Sequence, residues 1–373
     1  MYDQIQVDVF FLMFYASVAM LSMIACCYLL FRCANAIAPD VTSSVRLRRW
    51  TAAFFAAISF CHLWYLPMYF FTSPDDVMQG YLIAGLLDCM TIIPLTIAIL
   101  LAMLQDRRRP LWPIAVIVAP LIAGLAWCVT TGSESLLTVL YTYFLLMWLG
   151  LIIYMVREIR QYQHWLRDNY ADLEHKEVWQ SFVVLAIILL GYTIYSLDLG
   201  EPPLDYVMEA TIIFLVCYLL WRVETLSDLN VPISLDTAIA VDDAAEETVA
   251  SEDSDPLSMR NNIGPLLKLH CEDSGLYLQH DISLSQLAQT IGTNRFYLSQ
   301  YFSSRGMTYN SYINRLRIQH FINLYREAAA THQPITVLQL AHQSGFRSYS
   351  TFNAAFKQSM GMTATEWMRN MTE

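Results

Sequence analysis

Seven stretches of this sequence are apolar over the length needed to cross a bilayer, which restricts the fold more than any other feature. A hydrocarbon layer about 30 Å thick takes roughly 20 helical residues at about 1.5 Å each. The stretches fall at about 9–31, 50–71, 80–104, 111–131, 136–156, 181–199 and 206–222. The first is not read as a secretory signal, because Asp3 and Asp8 precede it where cations are expected and no small-residue cleavage site follows before Arg32. Backbone amides in lipid must be bonded within the segment, so a seven-span helix bundle is expected over residues 1–223.

The cations between the stretches give an orientation. Arg46, Arg48 and Arg49 lie between spans one and two, and Arg107, Arg108 and Arg109 between three and four. Arg157, Arg160, Arg167 and Lys176 lie between five and six, and Arg222 ends span seven. The alternate connections hold Asp75, Asp76, Glu134, Glu201 and Asp205 and no Lys or Arg. This is a positive-inside pattern. It predicts an external N-terminus, a cytoplasmic C-terminus and a place in the cytoplasmic (inner) membrane, with the lipid bilayer as a partner.

Charge then divides the chain in three. The oily part carries 12 basic and 17 acidic residues, Glu224–Met259 carries 10 acidic and no basic, and the remainder carries 10 basic and 6 acidic. With 56% hydrophobic and 15% charged residues overall, the composition excludes collagen, small disulfide scaffolds and a wholly disordered chain. Residues 224–260 read as an acidic disordered linker, whose reach as a flexible coil is roughly 30–35 Å. Seven of the eight cysteines (Cys26, Cys27, Cys33, Cys61, Cys89, Cys128 and Cys217) lie in or beside spans without metal or redox spacing. They are expected to be packing residues.

Residues 261–373 contain an internal repeat. Leu287-Ala288 is followed by Gly292, Leu298 and Phe302; Leu340-Ala341 is followed by Gly345, Phe352 and Phe356. Each copy reads as helix–turn–helix, so the whole chain is expected to be all-α. In the first copy Ser283 and Gln286 have capping-box spacing, and Leu284, Leu287, Ala288 and Ile291 share one helical face. Gly292 supplies the turn, and Thr293 or Asn294 caps the second helix. In the second copy Ile335, Leu338 and Ala341 make the first face, Gly345 the turn, and Ser348 or Ser350 the next cap. Between them Tyr309–Arg326 is one helical pattern, with Tyr312, Ile313, Leu316 and Phe321 inward and Arg315 and Arg317 outward. Two reading helices on a rigid connector suit successive major-groove segments about 34 Å apart, and the net positive charge suits phosphate contact. His270, His280, His320, His332 and His342 are scattered without ligand spacing, and no metal or cofactor is expected.

From about Ile263 to Arg369 the sequence resembles the AraC/XylS-type DNA-binding domain. The resemblance rests on Ile282-Ser283-Leu284, Leu287-Ala288, Gly292, Tyr297-Leu298-Ser299 and Phe302, then Gly306 and Tyr312–Arg317. It continues through Ile335, Leu340-Ala341, Gly345-Phe346, Ser350-Thr351-Phe352, Phe356-Lys357, Gly361-Met362-Thr363 and Trp367. It implies double-stranded DNA as a partner, RNA polymerase as a candidate partner, and a homodimer as an assembly the family permits. By position it puts base reading on Phe296, Ser299 and Gln300 in the first copy, and on Tyr349, Ser350 and Ala354, beside Asn353, in the second. Arg295 and Lys357 complete the expected DNA-binding set. Three departures stand out. Phe321 replaces a usually small residue, Ala364 replaces the usual proline after Thr363, and Ala354 offers no hydrogen bond to a base.

In the spans, ionisable groups are the default place to look for function. His62 and Asp88 lie at equal depth on spans two and three and are expected to pair as a sensing site for an extracytoplasmic or intramembrane ligand. Pro67 and Pro94 are expected to kink the same spans. The function this implies is a bacterial one-component, membrane-anchored transcription regulator without catalysis. The competing classes are a membrane enzyme or transporter with a regulatory appendage, and a helix–turn–helix fold used only for protein interaction. Against an enzyme or transporter, the spans show no H-E-x-x-H, no Gly-Ser nucleophile pattern and no inverted broken halves. DNA binding itself separates the regulator from the interaction module.

Overall fold

The computed structural model describes residues 9–32, 34–39, 41–133, 135–184, 187, 203–229, 256–331 and 336–372. Among these residues every regular element is helical, and strand pairing is limited to two isolated antiparallel bridges, Ser43 with Ser227 and Tyr170 with Ser283. The chain divides into two compact units. The first comprises Met1–Tyr162 and His175–Pro232, and the second comprises Gln163–Glu174 and Ile233–Glu373.

The first unit contains α1 (Val9–Phe31), α2 (Val45–Tyr65), α3 (Pro74–Met90), α4 (Ile92–Met103), α5 (Trp112–Thr131) and α7 (Pro203–Thr225). It also holds most of α6 (Leu137–Asn169). Six helical stretches among the described residues are long and apolar enough to cross a membrane. Most of the expected sixth span, 181–199, lies outside the described residues, and so does the core of the acidic linker, 230–255. Large apolar side chains stand exposed along the helices, among them Phe10, Met13 and Met20 on α1 and Leu145, Leu146, Leu149 and Ile153 on α6. A water-exposed surface of this kind would be unusual, whereas lipid is its natural solvent.

Four expectations are corrected. The stretch 80–104 is not one helix: α3 stops at Met90 and α4 begins at Ile92, with Thr91 at φ −122° and ψ −68°. Pro94 explains the break, since it has no N–H to give the carbonyl of Met90 and its ring crowds that carbonyl. The helix that carries the fifth apolar stretch continues past its end near residue 156. Helix α6 runs 33 residues, about 50 Å at 1.5 Å per residue, far longer than a span of hydrocarbon needs.

Glu224 is not part of a linker. It is buried on the last turn of α7. Its carboxylate accepts the Tyr28 hydroxyl and the backbone N–H groups of Ala36 and Ile37, at 3.1 and 2.8 Å for the two amides. An acid that fixes a loop by three donors is structural, and charge counting cannot distinguish it from a solvated one. The fourth correction is at the far end of that linker, where Pro256–Leu267 is already helical (α8).

Beyond α8 the second unit contains α9 (Leu284–Thr290), α10 (Arg295–Ser304), α11 (Tyr309–Ala330), α12 (Val337–Gln343), α13 (Tyr349–Met360) and α14 (Ala364–Thr372). It has two apolar cores. The first gathers Ile263, Leu267, Leu284, Leu287, Ala288, Leu298, Phe302 and Ile313; the second gathers Ile318, Phe321, Leu340, Phe346, Phe352, Phe356 and Trp367. Helix α11 supplies Tyr309–Ile313 to one and Ile318–Ile322 to the other, so it is the beam that joins the two copies of the repeat.

Candidate nucleic-acid interface

Each copy of the repeat builds a helix–turn–helix by the same local chemistry. Ser283 Oγ accepts the N–H of Gln286 and the Gln286 side chain accepts the N–H of Ser283, the reciprocal capping box that starts α9. Thr336 and Gln339 repeat it at the start of α12. The second helices of the two copies begin on Asn294, whose Oδ1 accepts the N–H of Phe296, and on Ser348, whose Oγ accepts the N–H of Thr351. The caps thus select Asn294 over Thr293 and Ser348 over Ser350. Ile335 lies outside the described residues, and the buried face of α12 is Leu340 and Ala341, with Leu338 exposed.

The turn glycines both have positive φ, +70° at Gly292 and +90° at Gly345. A side chain at Gly292 would enter open space, but at Gly345 a Cβ would lie 2.8 Å from Leu278 Cα. Gly345 is therefore held by contact as well as by conformation.

The expected reading residues sit at the front of each second helix. Arg295, Phe296 and Gln300 are exposed on α10, with Phe296 at 66% and its ring edge-on to Tyr297; Ser299 is half-buried. On α13 Tyr349 and Ser350 are exposed, with Ser350 Oγ 2.9 Å from Ser348 Oγ, and Ala354 and Lys357 are exposed further along. Asn353 differs from expectation. It is half-buried and its Oδ1 is enclosed without a hydrogen-bond partner, because it turns from the solvent face toward the protein.

Arg317 was expected on the outside and is the largest correction in this unit. It is 1% exposed. Its Nε donates to the Tyr277 carbonyl at 2.8 Å, and its Nη2 donates to the carbonyls of Gln279 (2.6 Å) and His280 (3.2 Å). Its guanidinium also lies over the Phe346 ring. Burial pulls its pKa below the usual arginine value, opposed first by the charge of Asp172. Arg315, by contrast, is exposed and lies over the Tyr312 ring. Phe321 is fully buried, 4.6 Å from the Phe352 ring centroid and 5.6 Å from that of Phe356, so the second core uses the extra volume. Ala364 is fully buried at the first turn of α14, which Thr363 and Glu366 start by exchanging N–H bonds.

One neighbour of these helices was not legible in the sequence. Residues Asn169–Glu174, which belong to the second unit, pack against these helices: Arg295 Nε donates to Asn169 Oδ1 at 2.9 Å and Thr351 Oγ1 donates to Glu174 Oε2 at 3.3 Å. No local periodicity could reveal contacts across 126 and 177 residues.

In the first unit His62 and Asp88 do not pair. His62, 4% exposed, places Nε2 3.1 Å from Glu209 Oε2 and Nδ1 2.7 Å from the Ile58 carbonyl. A carbonyl acceptor on one side calls for Nδ1–H, which leaves Nε2 facing the Glu209 carboxylate. Asp88 instead accepts from Tyr65 Oη (2.8 Å), Trp64 Nε1 (3.2 Å) and Cys61 Sγ (3.6 Å). Glu209 stands 147 residues from His62 on α7, so equal depth on two adjacent apolar stretches does not point to it. Among the described residues no group of His, Cys, Asp and Glu could hold a metal ion.

The comparisons agree with this geometry. A family described as "Helix-turn-helix domain" matches residues 287–370. This is an AraC-type helix–turn–helix domain. Over 80 residues the chain is 34% identical to the TCP pilus virulence regulatory protein of Vibrio cholerae serotype O1, covering 21% of this chain and 27% of that protein. It is 29% identical over 98 residues to an uncharacterized HTH-type transcriptional regulator of Staphylococcus aureus, covering 26% of this chain and 12% of the relative. The chain thus spans about a quarter or less of the length of these relatives. No solved structure matches it.

Proposed function

We propose that the chain is a membrane-anchored, one-component transcription regulator whose C-terminal domain reads double-stranded DNA in the cytoplasm. The observation that carries it is the joining of two kinds of structure in one polypeptide. Two capped helices offer exposed Arg295, Phe296, Gln300, Tyr349, Ser350 and Lys357 to solvent, and six helical stretches elsewhere have the length and apolarity to cross lipid. The first set supplies what groove binding needs: small hydroxyls and amides for base edges, and cations for phosphate. The relatives named as regulators of transcription or virulence align with the chain over 80 and 98 residues, which supports the DNA-reading half of the proposal.

The membrane half stands on the apolar helices and on the alternation of Lys and Arg between them. The His62–Glu209 pair and the Asp88 cluster are the polar groups there that could respond to a ligand or to protonation. The domain sits in the cytoplasm, the only compartment of a bacterium in which it would meet the chromosome.

The test is genome-wide crosslinking of the tagged full-length chain in its own cells, together with fractionation. Enrichment of defined DNA sites by a chain that pellets with membranes is the expected result. A membrane chain that enriches no sites would leave the fold as a protein-interaction module, and a tail cleaved by external protease in spheroplasts would end the regulatory reading.

A further inference from the structure

The segment Asn169–Glu174 is built into the second unit more firmly than a passing loop. Ala171 is fully buried in the first apolar core. Its N–H donates to the Ile282 carbonyl at 3.2 Å, and Asn310 Nδ2 donates to the carbonyls of Tyr170 (3.2 Å) and Ala171 (2.6 Å). Tyr170 forms an antiparallel bridge with Ser283, the residue that caps α9. Asp172 is 2% exposed, and its charge is the strongest of those that favour the buried Arg317 cation. Its Oδ1 also accepts the N–H of Glu174, which shapes the last turn of the segment.

With these anchors in place, the two ends of the segment reach the reading helices. Asn169 Oδ1 takes the hydrogen bond of Arg295, the first residue of α10, and Glu174 Oε2 takes that of Thr351, in the first turn of α13. Donors at the N-terminal turns of such helices are where DNA phosphate oxygens are ordinarily received. Residues 168–174 carry Asp168, Asp172 and Glu174 and no Lys or Arg, so the segment presents the sign of charge that a phosphate backbone would present.

We propose that Asn169–Glu174 is an intramolecular latch that holds oxygen acceptors on the phosphate-binding donors of both helix–turn–helix copies, so that DNA must displace it. This takes as given that α10 and α13 read DNA. The segment is continuous with α6, whose earlier residues form one of the membrane-length helices. Helix α6 is therefore the element whose displacement would free or seat the latch.

The test uses the full-length chain in lipid nanodiscs, with a random-sequence 40-base-pair duplex at low salt as the probe. Tyr170→Cys with Ser283→Cys places two thiols on bridged backbones, within the reach a disulfide needs. Each single variant is carried through the same oxidation as a control. The oxidised double variant is expected to bind the duplex at least about tenfold more weakly than the same chain reduced, and Asn169→Ala with Glu174→Gln to bind about tenfold more tightly than wild type. Equal binding by oxidised and reduced chains, with wild-type binding by the Asn169→Ala/Glu174→Gln chain, would overturn the latch and leave DNA reading intact. Absence of duplex binding in every form, the Asn169→Ala/Glu174→Gln chain included, would overturn DNA reading and the latch with it.

Discussion

Arg317 donates its Nε–H to the backbone carbonyl of Tyr277 at 2.8 Å, across the seam where the two copies of the repeat meet. With Gln279 and His280, three carbonyls of one turn depend on this guanidinium, and Phe346 of the second core packs beneath it. The cation is desolvated and is stabilised by fixed dipoles and by Asp172. Its removal leaves enclosed acceptors without donors.

Arg317→Met is accordingly expected to destabilise the second unit by about 3–5 kcal/mol. Arg317→Lys keeps the charge but loses the fork that spans Tyr277 and Gln279, and should recover less than half of the loss. Denaturant unfolding of the full-length chain in nanodiscs, followed by near-UV circular dichroism, measures both. A loss under 1 kcal/mol for Arg317→Met would show that water replaces the guanidinium at little cost.

The two turn glycines are equivalent in the repeat and unequal in the structure. Gly292→Ala meets no atom and faces only the left-handed backbone, a cost of about 1–2 kcal/mol. Gly345→Ala adds a Cβ 2.8 Å from Leu278 Cα and 2.9 Å from its carbonyl oxygen, so backbone must move, at roughly 1–3 kcal/mol more. The same unfolding measurement should therefore rank Gly345→Ala clearly below Gly292→Ala. Equal losses would contradict the close approach of Leu278.

The parts of this molecule that were legible in the sequence are those set by local rules. Helix starts followed from side chains three residues apart, as at Ser283 and Gln286, and the places of the long apolar helices followed from apolar length. What stayed hidden depends on partners distant in the chain. An arginine reads as a surface residue until the carbonyls of residues 277–280 are found around it. Glu224 reads as linker charge until Ala36 and Ile37 are seen to donate to it, and Asn169–Glu174 reads as one more basic-flanked loop until Ile282 and Asn310 bind its backbone. The proposed reading residues occupy an intermediate position: a solvent-facing register identifies Phe296 and Gln300, but the inward turn of Asn353 depends on the neighbouring side chains.

Cys271 gives a pH-dependent check on the first core. It is fully buried, and burial with the neighbouring Glu272 charge pushes its thiol up to about 12. A thiol whose pKa is raised in the folded state stays protonated through neutral pH, and its contribution to stability declines only as pH rises past the unfolded value near 8.5. At pH 8 a water-soluble maleimide should leave the Cys271 peptide unmodified in the folded chain and label it fully in denaturant, as read by mass spectrometry. Rapid labelling under native conditions would mean that α8 and the turn after it open freely.

In the first unit, the 3.1 Å contact between His62 Nε2 and Glu209 Oε2 predicts non-additivity. His62→Gln leaves Glu209 enclosed without its partner, and Glu209→Gln leaves the imidazole so, each costing about 3–5 kcal/mol where a buried pair is broken from one side. The double variant removes both ionisable groups and should lose less than the sum of the single changes, by at least about 1 kcal/mol. Thermal unfolding in one detergent completes the cycle. Additive losses would mean that the two groups do not interact. Asp88→Asn should leave this coupling unchanged, since its acceptors face Tyr65, Trp64 and Cys61 instead.

On the proposed reading face, Gln300 and Lys357 are expected to play different parts. Gln300 is exposed on α10 and carries an amide that can bond a base edge in two places, whereas Lys357 is an exposed point charge near the end of α13. Gln300→Ala should cost about 1–3 kcal/mol on the preferred site and much less on random duplex, narrowing the ratio between them. Lys357→Ala should weaken both duplexes alike and lower the slope of log affinity against log salt by about 1. Titrations of both duplexes between 50 and 200 mM salt, about the range over which phosphate contacts change affinity most visibly, distinguish the two behaviours. An equal loss on both duplexes for Gln300→Ala would move that residue from base reading to phosphate contact, and an unchanged slope for Lys357→Ala would take the end of α13 off the DNA.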